Sequence, residues 1–464
     1  MMKFSSPVFS EAPLHGLKGP RVSFELDGHS QAIPNSRAIA IINEVFGAGC
    51  AEPELDGAPL LPEGSPVRQL LDWVYLALRQ AQWPVFQQGV FEPAGEGQFD
   101  GCYHLVSRIG ARMLPFELFR LLFENVWLEA TETWSETGFR QSLMQMIGRV
   151  QTAGMPGTNQ RWVVLELLRR GQLLTEIAAG IYQIGEGENA RFVRGTVNGD
   201  VSHLLLKVQS DKVAAAHLMR LHGIPTVEHR RAYNRQQVFA AAAQLGYPVV
   251  LKPFNGTQSR KVYSELNDRR ALDQALAAYG SDLSRALVER FVPGISLRIF
   301  MMNGRILWIV GRLHQYVTGD GESSVEELIR DYCSQEIRDG FLEKPKSEPD
   351  GFFEKFQLHK RFTAKKLKSV LALGERLQLT DLPSASFGAV QAVYSEEQLS
   401  PKMLETVHYL SWLFGDAPLG VDAIGEMVDG QFRHLVFNEV NFGPQIIRPK
   451  SRQLFIDALL EPRS

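Results

Sequence analysis

The stretch LGVDAIGEMVDGQFRHLVFNEVNFGP, Leu419–Pro444, holds two strand-like runs joined by Asp429-Gly430. That dipeptide supplies the two positive-φ residues of a tight type I′ hairpin turn. A two-residue loop sets Asp422 opposite Phe437, with Glu439 its diagonal neighbour on the same face. Asn441 follows Glu439 by two and shares that face, while Val436 and Val440 point the other way. Three hard oxygen donors then converge on one sheet surface. A divalent cation such as Mg²⁺, which takes carboxylate, amide and phosphate oxygens together, matches them. A polar face turned to solvent is the plainer reading of the same residues.

Upstream, Leu297–Leu313 (LRIFMMNGRILWIVGRL) is two β-rich runs around Asn303-Gly304, a second hairpin signal. With a two-residue turn Arg298 falls opposite Ile309, which puts Arg312 on the other face unless a bulge intervenes. Arg298 is therefore the stronger candidate of the two. Ala286–Val292 (ALVERFV) reads as a buried strand running into a turn at Pro293-Gly294. Before it, PVVLKPFNGTQSRKV (Pro248–Val262) is a strand ending near Lys252, followed by a loop of small polar residues around Gly256. Such a loop can lay backbone N–H groups over phosphates while lysine adds a point charge, although a solvated hairpin gives the same pattern. Helical periodicity marks Gln236–Leu245, stopped by Gly246 and Pro248, and Asp268–Tyr279.

The first 180 residues have a different texture. Pro66–Gln82, Leu114–Glu129 and Arg161–Arg170 show apolar residues three and four apart, with Pro115 in a first-turn position. Phe116, Phe119, Phe123 and Trp127 form an aromatic stripe expected to be core or a domain interface. The Gly/Pro-rich patch 47–65 reads as a loop or linker.

Composition bounds the function classes. A chain of 464 residues divides into two or three domains. With 49 basic and 52 acidic residues the formal charge is −3, so no global field points to nucleic acid or an anionic membrane. The three cysteines, Cys50, Cys102 and Cys333, lack CxxC spacing, which argues against a zinc site or disulfide framework and fits a reducing, cytoplasmic setting. No apolar run is long enough for a signal peptide or a membrane span.

Taken in order, these segments resemble the ATP-grasp superfamily, most closely the ATP-grasp module of cyanophycin synthetase and of the bifunctional glutathione synthetases. The resemblance begins near Tyr182 (YQIGEGENARFVRGTV) and passes through Ser210-Asp211-Lys212 and LMRLHGIPTVEH. It continues through YPVVLKPFNGTQSRKV, ALVERFVPG and GDGESSVEELI, and closes with GVDAIG and FNEVNFGP, about residues 180 to 450. It implies an α+β architecture: an ATP-grasp fold of two α+β subdomains gripping ATP, preceded by a helix-rich α+β N-terminal domain. The expected division is 1–180, with a role in acceptor recognition, and 181–464, with a lid subdomain near 215–292 and a catalytic subdomain near 293–450.

Residue by residue, the resemblance implies that Lys212 and Lys252 hold the α/β-phosphates. It implies that Asn255 to Lys261, including Gly256 and Ser259, form the mobile loop over the γ-phosphate. Glu289, Arg290 and Val292 would be the adenine hinge, and Asp422, Glu439 and Asn441 the Mg²⁺ or Mn²⁺ ligands. Arg298 and Arg312 would lie near the transferred phosphate or the substrate carboxylate. The implied activity is an ATP-dependent carboxylate–amine ligase acting through an acyl phosphate on an amino acid or peptide, with a homodimer the commonest oligomer for such a chain. A phosphotransferase and a catalytically weak ATP-binding module are the alternatives on the same fold. Two departures stand out: the phosphate loop NGTQSRK is poor in glycine, and Ser296 occupies the position where an acidic residue commonly holds ribose. A basic helix, KRFTAKKLKSVLALGERL, is expected to be a solvated face. No GxxxxGK[ST] loop follows, so a second, Mur-ligase-like module and alternating two-residue polymerisation are not expected.

Overall fold

The computed structural model describes residues 3–4, 8–10, 21–27, 35–46, 66–81, 83, 89–95, 98–104, 111, 113–127, 134–155, 157–254, 261–335, 337–339, 342–344, 348–355, 358–379, 390–446 and 448–462. The patch 47–65 and the loop residues Asn255, Gly256 and Ser259 lie outside them. The chain forms two compact units, residues 1–199 with 445–447, and residues 200–444 with 448–464.

In the first unit the apolar spacings fold as helices Ser36–Phe46, Pro66–Gln80, Leu114–Trp127 and Glu136–Thr152. Their inward stripes meet in one core holding Ile41, Leu70, Trp73, Phe119 and Leu143. The aromatic stripe belongs to it: Phe116, Phe119 and Phe123 are buried, and the Trp127 side chain lies outside the described residues. Strands Arg21–Asp27, Gln98–His104 and Gly89–Gly95 pair antiparallel. Helix Thr158–Arg169 is followed by a four-stranded meander, Leu174–Ala178, Ile181–Ile184, Arg191–Arg194 and Val197–Asn198. That meander spans the division expected at residue 180 and keeps residues 181–199 with the first unit.

The second unit is built, in chain order, from α1 (Lys212–Leu221), β1 (His229–Ala232), α2 (Arg235–Leu245), β2 (Val249–Pro253), β3 (Tyr263–Leu266), α3 (Arg269–Tyr279) and β4 (Ala286–Arg290). There follow β5 (Ile295–Met302), β6 (Arg305–Leu313), β7 (Val390–Tyr394), β8 (Leu419–Val428) and β9 (Gln431–Phe442). The strands make two sheets, ordered β1-β4-β2-β3 and β7-β6-β5-β8-β9, with every pair antiparallel. Asn234 and Asp268 cap α2 and α3 by accepting from the Gln237 and Ala271 N–H groups. The two helices bury Val238, Ala242, Leu272 and Leu276 against Val249, Leu251 and Val288 of the first sheet. Its other face is thereby left to His229, Glu289, Val250 and Lys252, by strand alternation and register.

Both dipeptide turns fold as expected, with Asn303, Gly304, Asp429 and Gly430 all at positive φ. The strands beyond them do not keep a flat ladder. Phe300 pairs with Trp308 but Met301 with Ile306, so Leu307 is an extra residue. The ladder then sets Ser296 opposite Arg312 and Arg298 opposite Val310. Arg312 thus shares the face of Arg298, correcting the flat-ladder expectation.

The basic stretch 360–377 is not one helix. Thr363 caps a new short helix, Ala364–Leu367, after helix Leu358–Arg361, and Gly374 at φ 81° turns the chain into strand Arg376–Gln378. This strand pairs with Tyr316–Thr318 beside helix Val325–Ser334, around a core of Val325, Ile329, Phe353, Leu358 and Leu371 that buries the Cys333 thiol. No helix among the described residues is long and apolar enough to cross a membrane.

Candidate functional site

Strand β9 decides the geometry. Its buried residues are Phe432, Leu435, Phe437, Val440 and Phe442. The intervals of three break strict alternation, and each break falls on a bulge. Met427 pairs with Phe432 but Glu426 with His434, so Arg433 is extra; Ala423 pairs with Phe437 but Asp422 with Glu439, so Asn438 is extra. Phe437 therefore turns into the core beside Ala423, and Asp422 stands directly opposite Glu439, whereas the flat ladder had put Phe437 opposite Asp422. Asn441, opposite Gly420, stays on the face of Glu439. The three oxygen-bearing side chains share one face, in a closer register than expected.

Each carboxylate of that face already has cationic partners. Arg298, directly across from Asp422 on β5, approaches it with two nitrogens: Nε to Oδ1, and Nη2 to Oδ2 at 2.8 Å. Arg312 adds a second guanidinium, Nη2 to Oδ1 at 3.3 Å. Burial pushes the Asp422 carboxyl up, but Arg298 and Arg312 outweigh it and hold it below the usual carboxylate range. Lys212, first residue of α1, reaches Glu439 Oε2 at 3.0 Å. It is placed there by Asp211, whose carboxylate caps α1 by accepting from the Val213 and Ala214 N–H groups and also pairs with Arg231 at 2.5 Å.

The other sheet supplies a second buried pair. Lys252 Nζ lies 2.6 Å from Glu289 Oε2, with the two side chains only 8% and 7% exposed. The extra residue Asn438 meets the same lysine, Nζ donating to Oδ1 at 3.3 Å. Segment 225–227 also lies against β9, with Phe437 N–H donating to Pro225 O at 2.8 Å and Val227 N–H to Phe437 O at 3.0 Å. Lys252 thus links the two sheets through Glu289 and Asn438, while the Lys212–Glu439 pair and Asp422 with its two arginines lie along β8 and β9.

Of the expected site residues, then, Lys212, Lys252, Glu289, Arg298, Arg312, Asp422 and Glu439 are drawn into these pairs, and Asn441 shares their face. Lys261 goes elsewhere: its Nζ donates to Tyr279 O at 2.8 Å, beside the Tyr279 ring. Arg290 pairs with Glu228 at 3.3 Å with both side chains about half exposed, and its N–H donates to Glu228 O at 2.9 Å. Asn438, which meets Lys252, carries no spacing signal of its own. The buried residues of β9 are spaced 3-2-3-2, but Val436 is apolar too, so the sequence does not by itself announce the bulge that presents Asn438.

Gly294 joins β4 to β5 at φ 138°, and a Cβ there would lie 2.6 Å from the Gly425 carbonyl oxygen of β8. Gly294→Ala is expected to lower unfolding free energy by about 2 kcal/mol, from backbone strain and the clash together. Urea denaturation checks it; an unchanged midpoint would show that the turn can reshape freely.

Among the described residues no group of three or more His, Cys, Asp and Glu side chains could hold a metal by itself. The donor set on the β8–β9 face is instead two carboxylates and an amide, a hard-oxygen set that suits Mg²⁺ once phosphate oxygens and water complete the shell. Their present counter-charges, Arg298, Arg312 and Lys212, are also groups that bind phosphate.

No family model matches the chain. Among curated proteins it is similar to cyanophycin synthetase of Crocosphaera subtropica, 23% identical over 395 residues that cover 82% of this chain and 44% of that protein. It is also similar to cyanophycin synthetase of Geminocystis herdmanii, 29% identical over 157 residues (33% of this chain, 18% of that protein). The glutathione biosynthesis bifunctional protein of Streptococcus mutans is 24% identical over 280 residues (56% and 36%). The chain spans less than half the length of each of these relatives. Among solved structures, a bifunctional glutathione synthetase from Pasteurella multocida matches at TM-score 0.45 and 17% identity, covering 75% of this chain and 49% of that one. The resemblance read from the motifs is thus found again in a sequence comparison that covers 82% of this chain.

Proposed function

We propose that this chain is an ATP-grasp carboxylate–amine ligase, which activates the carboxylate of an amino acid or peptide as an acyl phosphate and passes it to an amine, releasing ADP and phosphate. The observation that carries the reading is the set of paired charges Lys252–Glu289, Lys212–Glu439 and Asp422 with its two arginines, with Lys252 also meeting Asn438 of β9. Four cations and three carboxylates, carried by the two sheets and the start of α1, suit a polyanion that arrives with a metal: the lysines meet phosphate, and Asp422 and Glu439 meet metal. In this reading Lys212 and Lys252 bind the nucleotide's phosphates, Glu289 to Val292 line the base, and residues 255–261 close over the γ-phosphate.

Asp422, Glu439 and Asn441 would hold Mg²⁺, which when bound supplies charge neutralisation and a template for the phosphate oxygens. Arg298 lies at the floor of the face with its guanidinium already oriented by two contacts to Asp422. There it orients a substrate carboxylate for attack and then stabilises the oxyanion as the amine adds. Exclusion of water protects an acyl phosphate until that step.

The test is ADP release with Mg²⁺ and ATP over amino acids, dipeptides and amines, singly and in pairs, with product masses. Release that requires a pair, with a product formed by condensation, is the expected result. ADP release with a phosphorylated product and no amide would make the chain a phosphotransferase, and failure to bind ATP would overturn the reading.

A further inference from the structure

One buried titratable group on the cleft face takes no part in the charge pairs. His229 of β1 pairs in register with Glu289 of β4 and shares its face with Lys252, opposite to the α2–α3 core. The side chain is 7% exposed. Its Nδ1 lies 3.2 Å from the Val227 carbonyl oxygen, which can only accept, so Nδ1 carries the proton and donates. Burial pushes the imidazole below its usual value, against the opposing pull of Glu289 and with Arg220 and Lys252 acting in the same sense as burial. The ring is therefore neutral, and Nε2 is left as a bare acceptor. Nε2 is buried and, among the described residues, has no hydrogen-bond partner. A buried acceptor without a donor is costly, and a ligand that brings the donor removes that cost.

The neighbourhood restricts which ligand group can do so. His229 lies beside the end of β4, where Arg290 N–H donates to Glu228 O at 2.9 Å and Phe291 N–H to Pro248 O at 3.0 Å. Those two amides are already bonded within the protein and are not offered to a base. Lys252 is a donor, but it is committed to Glu289 and Asn438.

Resting on the nucleotide reading given above, we propose that His229 is a specificity-determining residue, whose Nε2 accepts a hydrogen bond from the exocyclic 6-amino group of adenine and so selects adenine over 6-oxopurine nucleotides. A 6-oxopurine presents an oxygen acceptor at that position. Two acceptors then face each other in a dry site, and neither finds a donor.

Dissociation constants of Mg-ATP and Mg-ITP, measured by calorimetry on the full chain and on His229→Leu and His229→Gln, test the assignment. The unaltered protein should prefer ATP by about 100-fold, the upper end of the cost of leaving a buried acceptor unpaired. His229→Leu removes the acceptor and should shrink that preference about tenfold, mostly by weakening ATP. His229→Gln, which can present its amide oxygen, should keep more of the preference than leucine does. Unaltered protein that binds ATP and ITP within about threefold of each other overturns the inference whatever the variants do. So does a preference that survives in folded His229→Leu; if that variant does not fold, a Gln variant whose preference exceeds that of the unaltered protein has the same force. Binding of neither nucleotide by the unaltered protein would bring down the nucleotide reading itself, a result distinguishable from the other two.

Discussion

Asp422→Asn is expected to reduce ATP-dependent product formation by at least about 100-fold and to lower unfolding free energy by about 3 kcal/mol. Asp422 is 14% exposed and the only carboxylate paired with Arg298 and Arg312 among the described residues. Asparagine keeps the shape but removes the charge, leaving two guanidiniums close together in a half-buried site. Breaking a buried pair on one side costs more than the pair itself contributes, because an uncompensated charge remains.

The pH dependence has a definite sign. The folded carboxyl lies below the usual range, so its contribution to stability is fully present above the unfolded value, about 3.9, and is lost as pH falls through the folded value. The unaltered protein should therefore weaken below about pH 4, and Asp422→Asn should lack that part of the acid limb. Urea midpoints at pH 7 and pH 3 check both points. A loss of under about 0.5 kcal/mol at pH 7 would mean that water reaches the arginines and the pair behaves as a surface one.

Lys252→Met is the second large effect. It strands Glu289, whose side chain is 7% exposed, and removes the donor to Asn438. A stability loss of about 3–5 kcal/mol follows from leaving one buried charge alone. The double variant Lys252→Met, Glu289→Gln removes both charges and should recover most of that stability while nucleotide binding stays lost. Thermal unfolding and ATP titration on the same two proteins separate the outcomes. If the double variant regains ATP affinity along with stability, Lys252 is a structural partner of Glu289 and does not bind phosphate.

The elements around the site were legible in the sequence where a local rule is strong. Asn303-Gly304 and Asp429-Gly430 demand two positive-φ residues in a row, and few other conformations satisfy them. Helix 235–245 was marked by its terminators, and helices 66–80, 114–127 and 158–169 of the first unit by period-3.6 apolar spacing, while 36–46 and 136–152 were not marked. The register beyond each turn was not legible from turn chemistry, because it depends on which side chains fill the core on one face of the sheet. Phe437 and Val440 both have to be inside, three residues apart, and only an extra residue between them allows it. Arg312 was misplaced for the same reason at Leu307.

The identity of the oxygen donors could be read from the alternation of Glu439 and Asn441. Their engagement by Arg298, Arg312 and Lys212 could not, since those cations come from strands and a helix distant in sequence. His229 sits in a stretch, VEHRRA, where three neighbouring charged residues mask one buried imidazole. The basic run 360–377 shows the opposite failure: composition suggested a continuous helix, and the local stop at Thr363 and Gly374 prevailed.

The bulge at Asn438 has a further consequence for how such a site can change over generations. Remove that one residue and Phe437 would be followed directly by Glu439: inside and outside positions would still alternate, and Asp422 would still face Glu439. The ladder pairs nothing with Asn438, whose side chain accepts from Lys252 of the other sheet. A single-codon insertion or deletion at this point can therefore add or erase a polar group against Lys252 while the core and the three oxygen donors stay in frame. Length variation inside a hairpin, ordinarily ruinous to register, would here leave the register of both flanking segments unchanged.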